Sequence, residues 1–433
     1  MTPLPGSPGA APPAPPRGSM TRREALRVGA AGVLLGMVAP RPWRDGPREA
    51  PAPSSLPVAP PPTDALFDQA LLHDARLDLD PGDWRALRAA PESNHYYAAD
   101  FSADGEVVRN VGIRSRGDGS RIGQKPCLKV DFNRYVKGQS FHGMKSLVLD
   151  NLAEDETGLH ERLALAVFEA MGIPAPRYAH ARLTLNGGYG GVYGLVEPVR
   201  KPFLRSRFGE SGGNLFGYEY ETEPEVFYDF SFRGEDAKAY VPRPFKPRTH
   251  KRAPRSAGLV AFLRTLNHAP QETLGRELSA HLDVDQFVTY YAVENALADG
   301  DGFGGESGRN NCYFYPPTGG GRFVFIPWDK DMALERADWP LGANSRLNVL
   351  TRRVLADPAW RKIYAQRVAQ AIDTFVNVRW LGPRMELAYH QIREAFLADS
   401  LKPYSSAQFE YGVKALRLVI QRRETGILNS AGW

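Results

Sequence analysis

At 433 residues, with 24% charged and 42% hydrophobic side chains, the chain is long enough for two packed lobes and has an ordinary globular composition. The formal net charge of +5 is small, and much of it sits in the stretches 17–27 and 246–255, so nucleic acid is not expected as a partner. Two cysteines, Cys127 and Cys312, with no CxxC or Cys/His cluster, argue against a zinc or iron–sulfur framework; they read as buried thiols, with one disulfide as the alternative.

Residues 1–19 are rich in Pro, Gly and Ala and read as a disordered leader. Arg22-Arg23 then stand ahead of an apolar run from Val28 to Ala39. That run is shorter than the roughly 20 residues a bilayer span needs, and it suits the apolar region of a signal peptide. The paired arginines resemble a twin-arginine signal. The expectation is a leader and signal over 1–45, with Met20 as a competing start, and a Pro-rich linker over 46–63. The protein is then exported, to the periplasm or beyond the cell, with no stable transmembrane anchor.

The folded part begins near Leu66. Asp74–Asp80 reads as a strand and Pro81–Ala90 as a short helix with Pro in its first turn. Asp104-Gly105 marks a hairpin within Ala99–Val108. Strands follow over Asn110–Arg116, Lys125–Phe132 and Met144–Leu149. In the second of these, Lys125, Cys127, Lys129 and Asp131 share one face and Leu128, Val130 and Phe132 the other. Gly117–Gly123 is a glycine-rich loop. Leu159, Leu163, Val167 and Met171 recur at a spacing of four, which predicts a largely buried helix over Glu156–Met171, capped by Asp155 or Thr157 and ended by Gly172. Ala179–Leu185 and Val192–Glu197 flank a turn read over Asn186–Gly191.

The second half changes character. Tyr218–Pro254 reads as an irregular insertion. Ala257–Leu266, Gln271–Leu282 and Val284–Leu297 read as helices, the last with the clearest apolar stripe. Asn311–Tyr315 and Arg322–Ile326 form a hairpin, and Arg346–Ile427 reads as several helices. The expected architecture is α+β, a β-rich part over 64–215 and a mainly helical part over 216–433.

Chemistry concentrates in Asp299-Gly300-Asp301-Gly302, Asn310-Asn311 and Trp328-Asp329-Lys330-Asp331. Asp301 follows the apolar helix, Asn311 opens one hairpin strand and Asp329 ends the other, so the hairpin brings Asn311 and Asp329 to the same end. Carboxylate and amide oxygens converging there suit Mg²⁺, which takes oxygen ligands and completes its shell with water and substrate phosphates. A further carboxylate nearby suits orientation of a hydroxyl for attack on a phosphate. Turn residues and a solvated strand end are the plain alternative.

Asn310–Tyr315 with Phe325–Asp331 resembles the paired signature of the spore coat protein H (CotH-type) family of atypical protein kinases. Arg114–Arg121, Lys125–Phe132 and Leu185–Glu197 are similar to three further blocks of that family, and the four run in family order. The resemblance implies an atypical protein-kinase-like fold, with a β-rich N-lobe and a helical C-lobe, that uses ATP and Mg²⁺ to phosphorylate Ser or Thr of a protein substrate. By the same resemblance Asp301 is the catalytic aspartate, and Asn311 and Asp329 hold metal. Lys129 contacts phosphate, with Arg116 and the loop to Ser120 nearby. Glu161 is a candidate partner of Lys129 or Lys145, or else a surface ion pair. Glu197 is a candidate at the adenine, or else a structural cap. The sequence departs from the family at His160, where arginine is usual, and at Asp299-Gly300-Asp301-Gly302, where Asp299 competes with Asp301. An alternative reading is a kinase-fold coat or adhesion protein with little or no turnover, which scarcity of ATP outside the cytoplasm favours.

Overall fold

The computed structural model describes residues 65–219, 227–306, 308–318 and 321–429. The expected leader, twin-arginine signal and Pro-rich linker lie outside the described residues. All described residues belong to one compact unit.

Seven strands close into a barrel in the order β1-β2-β3-β4-β5-β7-β6, with β1 and β6 paired in parallel to seal it. They are β1 (Leu72–Leu79), β2 (Tyr97–Ala103), β3 (Glu106–Ser115), β4 (Leu128–Asp131), β5 (Ser146–Asp150), β6 (Tyr178–Leu185) and β7 (Gly188–Val196). Alternation explains the closure: Leu128, Val130 and Phe132 point inward with Phe101, Ile113, Leu149 and Leu195, while Cys127 packs on the outer side with the helical core. Helix α1 (Pro81–Ala89) starts where expected, with the Asp80 carboxylate accepting from the Gly82 and Asp83 N–H groups.

Several boundaries differ from the sequence reading, the helix read over Gln271–Leu282 shrinking to Leu274–Leu278 among them, and three have a local cause. Strand β3 is continuous across the expected break at Asn110, because a bulge opposite Ala99/Phe101 absorbs it. Asn110 takes a φ of 58° there, and its N–H donates to Asp100. The β6–β7 turn is the dipeptide Asn186-Gly187, at φ 49° and 80°, so the glycines after it lie inside β7 rather than in a loop. Helix α2 runs over His160–Ala170, starting later than expected, because the Asp155 carboxylate gathers the N–H groups of both Thr157 and His160 and winds residues 155–159 into a turn.

The segment 218–254 is not an irregular insertion. It follows α3 (Lys201–Phe208), which the sequence reading lacked. Its edges supply β8 (Phe216–Tyr218) and β9 (Phe245–Pro247). These join β10 (Cys312–Tyr315) and β11 (Val324–Pro327) in a sheet ordered β11-β10-β8-β9. Tyr228, Phe230, Tyr240 and Phe245 are buried beneath it with Phe303 and Phe314. Helices α4 (Ala257–His268), α5 (Leu274–Leu278), α6 (Val284–Ala296), α7 (Val349–Ala356), α8 (Pro358–Thr374), α9 (Val378–Ala398) and α10 (Ser406–Asn429) complete the fold, which is α+β. The barrel is tied to α9 by a buried ion pair, Lys125 Nζ to Asp399 at 2.7 Å, with Lys125 also donating to the Val192 carbonyl. Both cysteines are buried free thiols, as expected. Among the described residues no helix is long and apolar enough to cross a membrane.

Candidate functional site

Helix α6 is buried at every position but Asp285, so its C-terminal end delivers the following loop into the interior. Glu294 organises that loop. Its carboxylate accepts from the N–H groups of Phe303 at 2.9 Å and Gly304 at 3.0 Å, from the Tyr290 hydroxyl at 2.7 Å and from Lys330 Nζ at 2.9 Å. Lys330 also donates to Asp299 at 2.7 Å and is fully buried. Burial alone would lower the Lys330 ammonium; Asp299 and Glu294 hold it above its ordinary value. Asp299 is therefore ion-paired with Lys330 inside the loop. A side chain at Gly302 would meet Asp299 and Glu294 at 2.4 and 2.6 Å, so glycine is required there.

Asp301 has a different setting. Its Oδ2 accepts from the amides of Asn310 at 3.0 Å and Asn311 at 2.7 Å, and the residue is 3% exposed. Asn311 and Asp329 sit at the paired ends of β10 and β11, where the Trp328 N–H donates to the Asn311 carbonyl at 3.1 Å. Both take left-handed backbone, at φ 50° and 55°. Such strain in non-glycine residues needs firm support from its surroundings, which the buried hairpin supplies.

Asp329 stands among other acids. The Asp150 carboxyl at the end of β5 is pushed up to about 6, by burial first and then by the Asp329 charge, with Arg116 opposing. Glu161 on α2 is held well above its ordinary value by burial, Asp150 and Asp329, although the Lys330 N–H donates to it. Asp331 is raised by burial and by Asp329, Glu154, Asp150 and Glu161. The cation facing this group is Arg116: burial would lower its guanidinium, but Cys127, Asp329, Tyr313 and Asp150 keep it above its ordinary value. Among the described residues no three Asp, Glu, His or Cys side chains already converge as a metal cage. Mg²⁺ fits such a donor set, since it binds through one or two carboxylates plus substrate phosphates rather than through a dedicated protein cage.

The other sequence candidates have partners of their own. Lys129 Nζ bonds Asp131 at 2.6 Å and the Tyr96 hydroxyl at 2.9 Å, so it is not paired with Glu161. Glu197 is buried between Arg177 and Arg207, each at 2.9 Å, which makes it a cross-brace at the end of β7. The Ser120 carbonyl accepts from the Asn151 amide at 2.9 Å, which fastens the glycine-rich loop to the end of β5. At Gly117, φ is 102° and a side chain would collide with the Ser120 hydroxyl at 2.0 Å. His160 donates from Nδ1 to the Ala333 carbonyl, bracing α2 against the segment after Asp331. Asp150, Glu294 and Lys330 were missed as site-building residues. Only Glu294 carried a signal, an acid among the apolar residues of α6; Asp150 and Lys330 gain their meaning from distant parts of the chain.

The family description "CotH kinase protein" matches residues 113–427, from the middle of β3 into α10. The chain belongs to this family. The motif resemblance read from the sequence is therefore borne out. Inner spore coat protein H of Bacillus subtilis (strain 168) is 22% identical over 307 residues, covering 70% of this chain and 82% of that relative. The CotH match takes in the Asp301 loop, the Asn311–Asp329 hairpin and the glycine-rich loop, and leaves β1, α1 and β2 ahead of it.

Proposed function

We propose that this CotH-family chain is an atypical protein kinase that moves the γ-phosphoryl group of ATP to a Ser or Thr hydroxyl of a protein substrate. The observation that carries the reading is the contrast between two aspartates. Asp301 is held by two asparagine amides at the end of a buried helix. Asp329 stands among acids opposed by Arg116. In this reading the barrel and the helical part act as N- and C-lobes of a kinase-like fold.

Asp329 and Asn311 would hold Mg²⁺, which supplies charge neutralisation on the phosphates. Arg116, which faces Asp329 and Asp150, would meet a phosphate oxygen, and N–H groups of the glycine-rich loop not used within it would meet others. Asp301 orients the acceptor hydroxyl. As the acceptor oxygen bonds to the γ-phosphorus, the bond from that phosphorus to the β–γ bridging oxygen breaks, ADP leaves, and the hydroxyl proton passes to the Asp301 carboxylate. Asp301 is 3% exposed, so this reading requires a rearrangement around it to admit an acceptor. Arg116, rather than Lys129, is the phosphate-facing cation in this account.

Calorimetric titration of Mg-ATP beside radiolabelled phosphate transfer tests the assignment. Asp329→Asn is expected to weaken Mg-nucleotide binding and abolish transfer. Asp301→Asn is expected to keep binding within a few-fold while transfer falls by about 10² or more. Loss of transfer with equal loss of binding in both variants would contradict the division of labour.

The printed name of the Bacillus relative favours a second role, in a coat layer. Export by the twin-arginine route, proposed from Arg22-Arg23, fits such a location. In that case wild-type protein binds no nucleotide and the fold serves assembly.

A further inference from the structure

A cavity of about 810 Å³ lies between the turn that enters β1, the last two turns of α2, the start of β6 and the first two turns of α9. Neither the acids around Asp329 nor the Lys129–Asp131 pair lines it. Phe67, Leu165, Ala166, Ala170, Pro176 and Trp380 supply an apolar wall. Hydrogen bonds between the elements fix its shape. The Gln69 carbonyl accepts from Arg162 on α2 at 2.7 Å and from Gln391 on α9 at 3.2 Å, and the Gln69 amide donates to the Tyr178 carbonyl at 3.0 Å. Such a wall is in place before a ligand arrives, which lowers the ordering cost of binding.

Asp68, Glu169, Arg177 and Arg384 bring charge to this wall. Two of them are engaged. Arg177 pairs with Glu197 at 2.9 Å and lies 4.5 Å over the Phe67 ring, and Asp68 closes its own turn by accepting from the Ala70 N–H at 2.9 Å. Among the described residues Glu169, near the end of α2, and Arg384, on α9, have no ion-pair partner. They line one cavity with opposite charges and do not pair with each other, so they stand farther apart than a direct ion pair allows. Arg384 is held in place: its guanidinium lies 3.7 Å over the Trp380 ring and donates to the Trp380 carbonyl at 3.0 Å. Partial burial raises the Glu169 carboxyl above its ordinary value, with Arg207 opposing and Glu197 adding. A carboxylate held against apolar surface without a donor is stabilised by an incoming cation.

A complementary ligand carries a cationic end and an anionic end on an apolar body. A polyphosphate does not suit one unpaired cation beside two acids. A stacked sugar would need the Trp380 ring, which Arg384 already covers. A short peptide suits the wall, because its terminal ammonium and carboxylate are separated by roughly 3.3–3.6 Å per residue and so span a gap that a direct ion pair does not. We propose that this cavity binds a short apolar peptide by its two ends, the ammonium at Glu169 and the carboxylate at Arg384, with its side chains against Phe67, Leu165 and Ala166. The volume lies in the range of ligand pockets. The inference does not rest on the transfer reaction proposed above.

The test is calorimetric titration of the dipeptide leucyl-phenylalanine into the full chain at low ionic strength, beside its N-acetylated and C-amidated forms. One dipeptide is expected to bind per chain, and blocking either end is expected to weaken it by about fivefold or more, the effect of losing a charge-assisted bond at a partly exposed site. Glu169→Gln is expected to weaken the unmodified dipeptide to a similar degree and to be indifferent to acetylation. Arg384→Gln is expected to do the same and to be indifferent to amidation. Neither side chain belongs to the core, so thermal unfolding of both variants should match the wild type. Free phenylalanine forms the second arm: affinity well below that of the dipeptide supports a peptide, and equal affinity overturns that assignment in favour of a single amino acid. Absence of binding to the wild type, or binding indifferent to both blocked ends and to both substitutions, overturns the proposal. Failure of Mg-ATP transfer with dipeptide binding intact would instead count against the kinase reading alone.

Discussion

Lys330 has no access to water and lies between Glu294 and Asp299. Lys330→Met is expected to destabilise the protein by about 3–5 kcal/mol, because it strands two buried carboxylates on either side of a neutral chain; urea unfolding measures this, and a change under about 1 kcal/mol would show that the pair is not buried in solution. His180 makes a second residue-level case. Arg162 donates to its Nδ1 at 3.0 Å, so Nε2 carries the proton, donated to the Gly158 carbonyl at 2.6 Å. Burial, then Arg162, pushes the imidazole down to about 3 from 6.5. The native state refuses a proton that the unfolded chain accepts, so this contribution is full above pH 6.5 and declines as pH falls toward 3. Between pH 6.5 and 5 the wild type should lose about 2 kcal/mol of stability that His180→Gln does not lose. Parallel pH dependence in the two proteins would contradict it. At this scale the sequence showed Asp301, Asn311 and Asp329 through their motifs, but it left Asp299 in competition with Asp301. Their surroundings differ through Lys330, 31 residues beyond Asp299, and through Glu294, neither of which a local motif shows.

The elements were legible where one local pattern decided them. Strand β4 was read with the correct two faces, because alternation alone sets them, and α6 because its stripe is continuous. Patterns failed where tertiary contact overrides them. The glycines of β7 looked like a turn, yet Gly191 is needed inside the strand: its φ is 105°, and a side chain would meet the Asp399 carboxylate at 2.3 Å. The aromatics of 218–254 looked irregular because their partners, Phe303 and Phe314, arrive from elsewhere in the chain. Asp399 also joins barrel to helices through Lys125, and the Val192 N–H donates to it at 3.2 Å. Asp399→Ala is expected to destabilise by about 3–5 kcal/mol, since it leaves the Lys125 ammonium buried and unpaired. Thermal unfolding should show one lowered transition; an unchanged midpoint would mean the link does not hold the two parts together.

For the whole molecule, composition and motif order were enough to read an α+β chain of the CotH family, and family membership is shown by the match over residues 113–427. Closure of the first seven strands into a barrel was not legible, since the parallel β1–β6 seam joins segments about a hundred residues apart. Export is tested on the intact gene product: Lys in place of both Arg22 and Arg23 should retain the protein in the cytoplasm, and undiminished export would exclude the twin-arginine route. The central claim is transfer of the terminal phosphate from Mg-ATP to protein. The most direct measurement is a pair of incubations of wild-type protein and an acceptor, one with ATP labelled at the γ-phosphate and one with ATP labelled at the α-phosphate, followed by acid hydrolysis of the labelled protein. The account predicts γ-label alone, recovered as phosphoserine or phosphothreonine and absent with Asp301→Asn. Protein carrying α-label, or no label from either nucleotide, would contradict it.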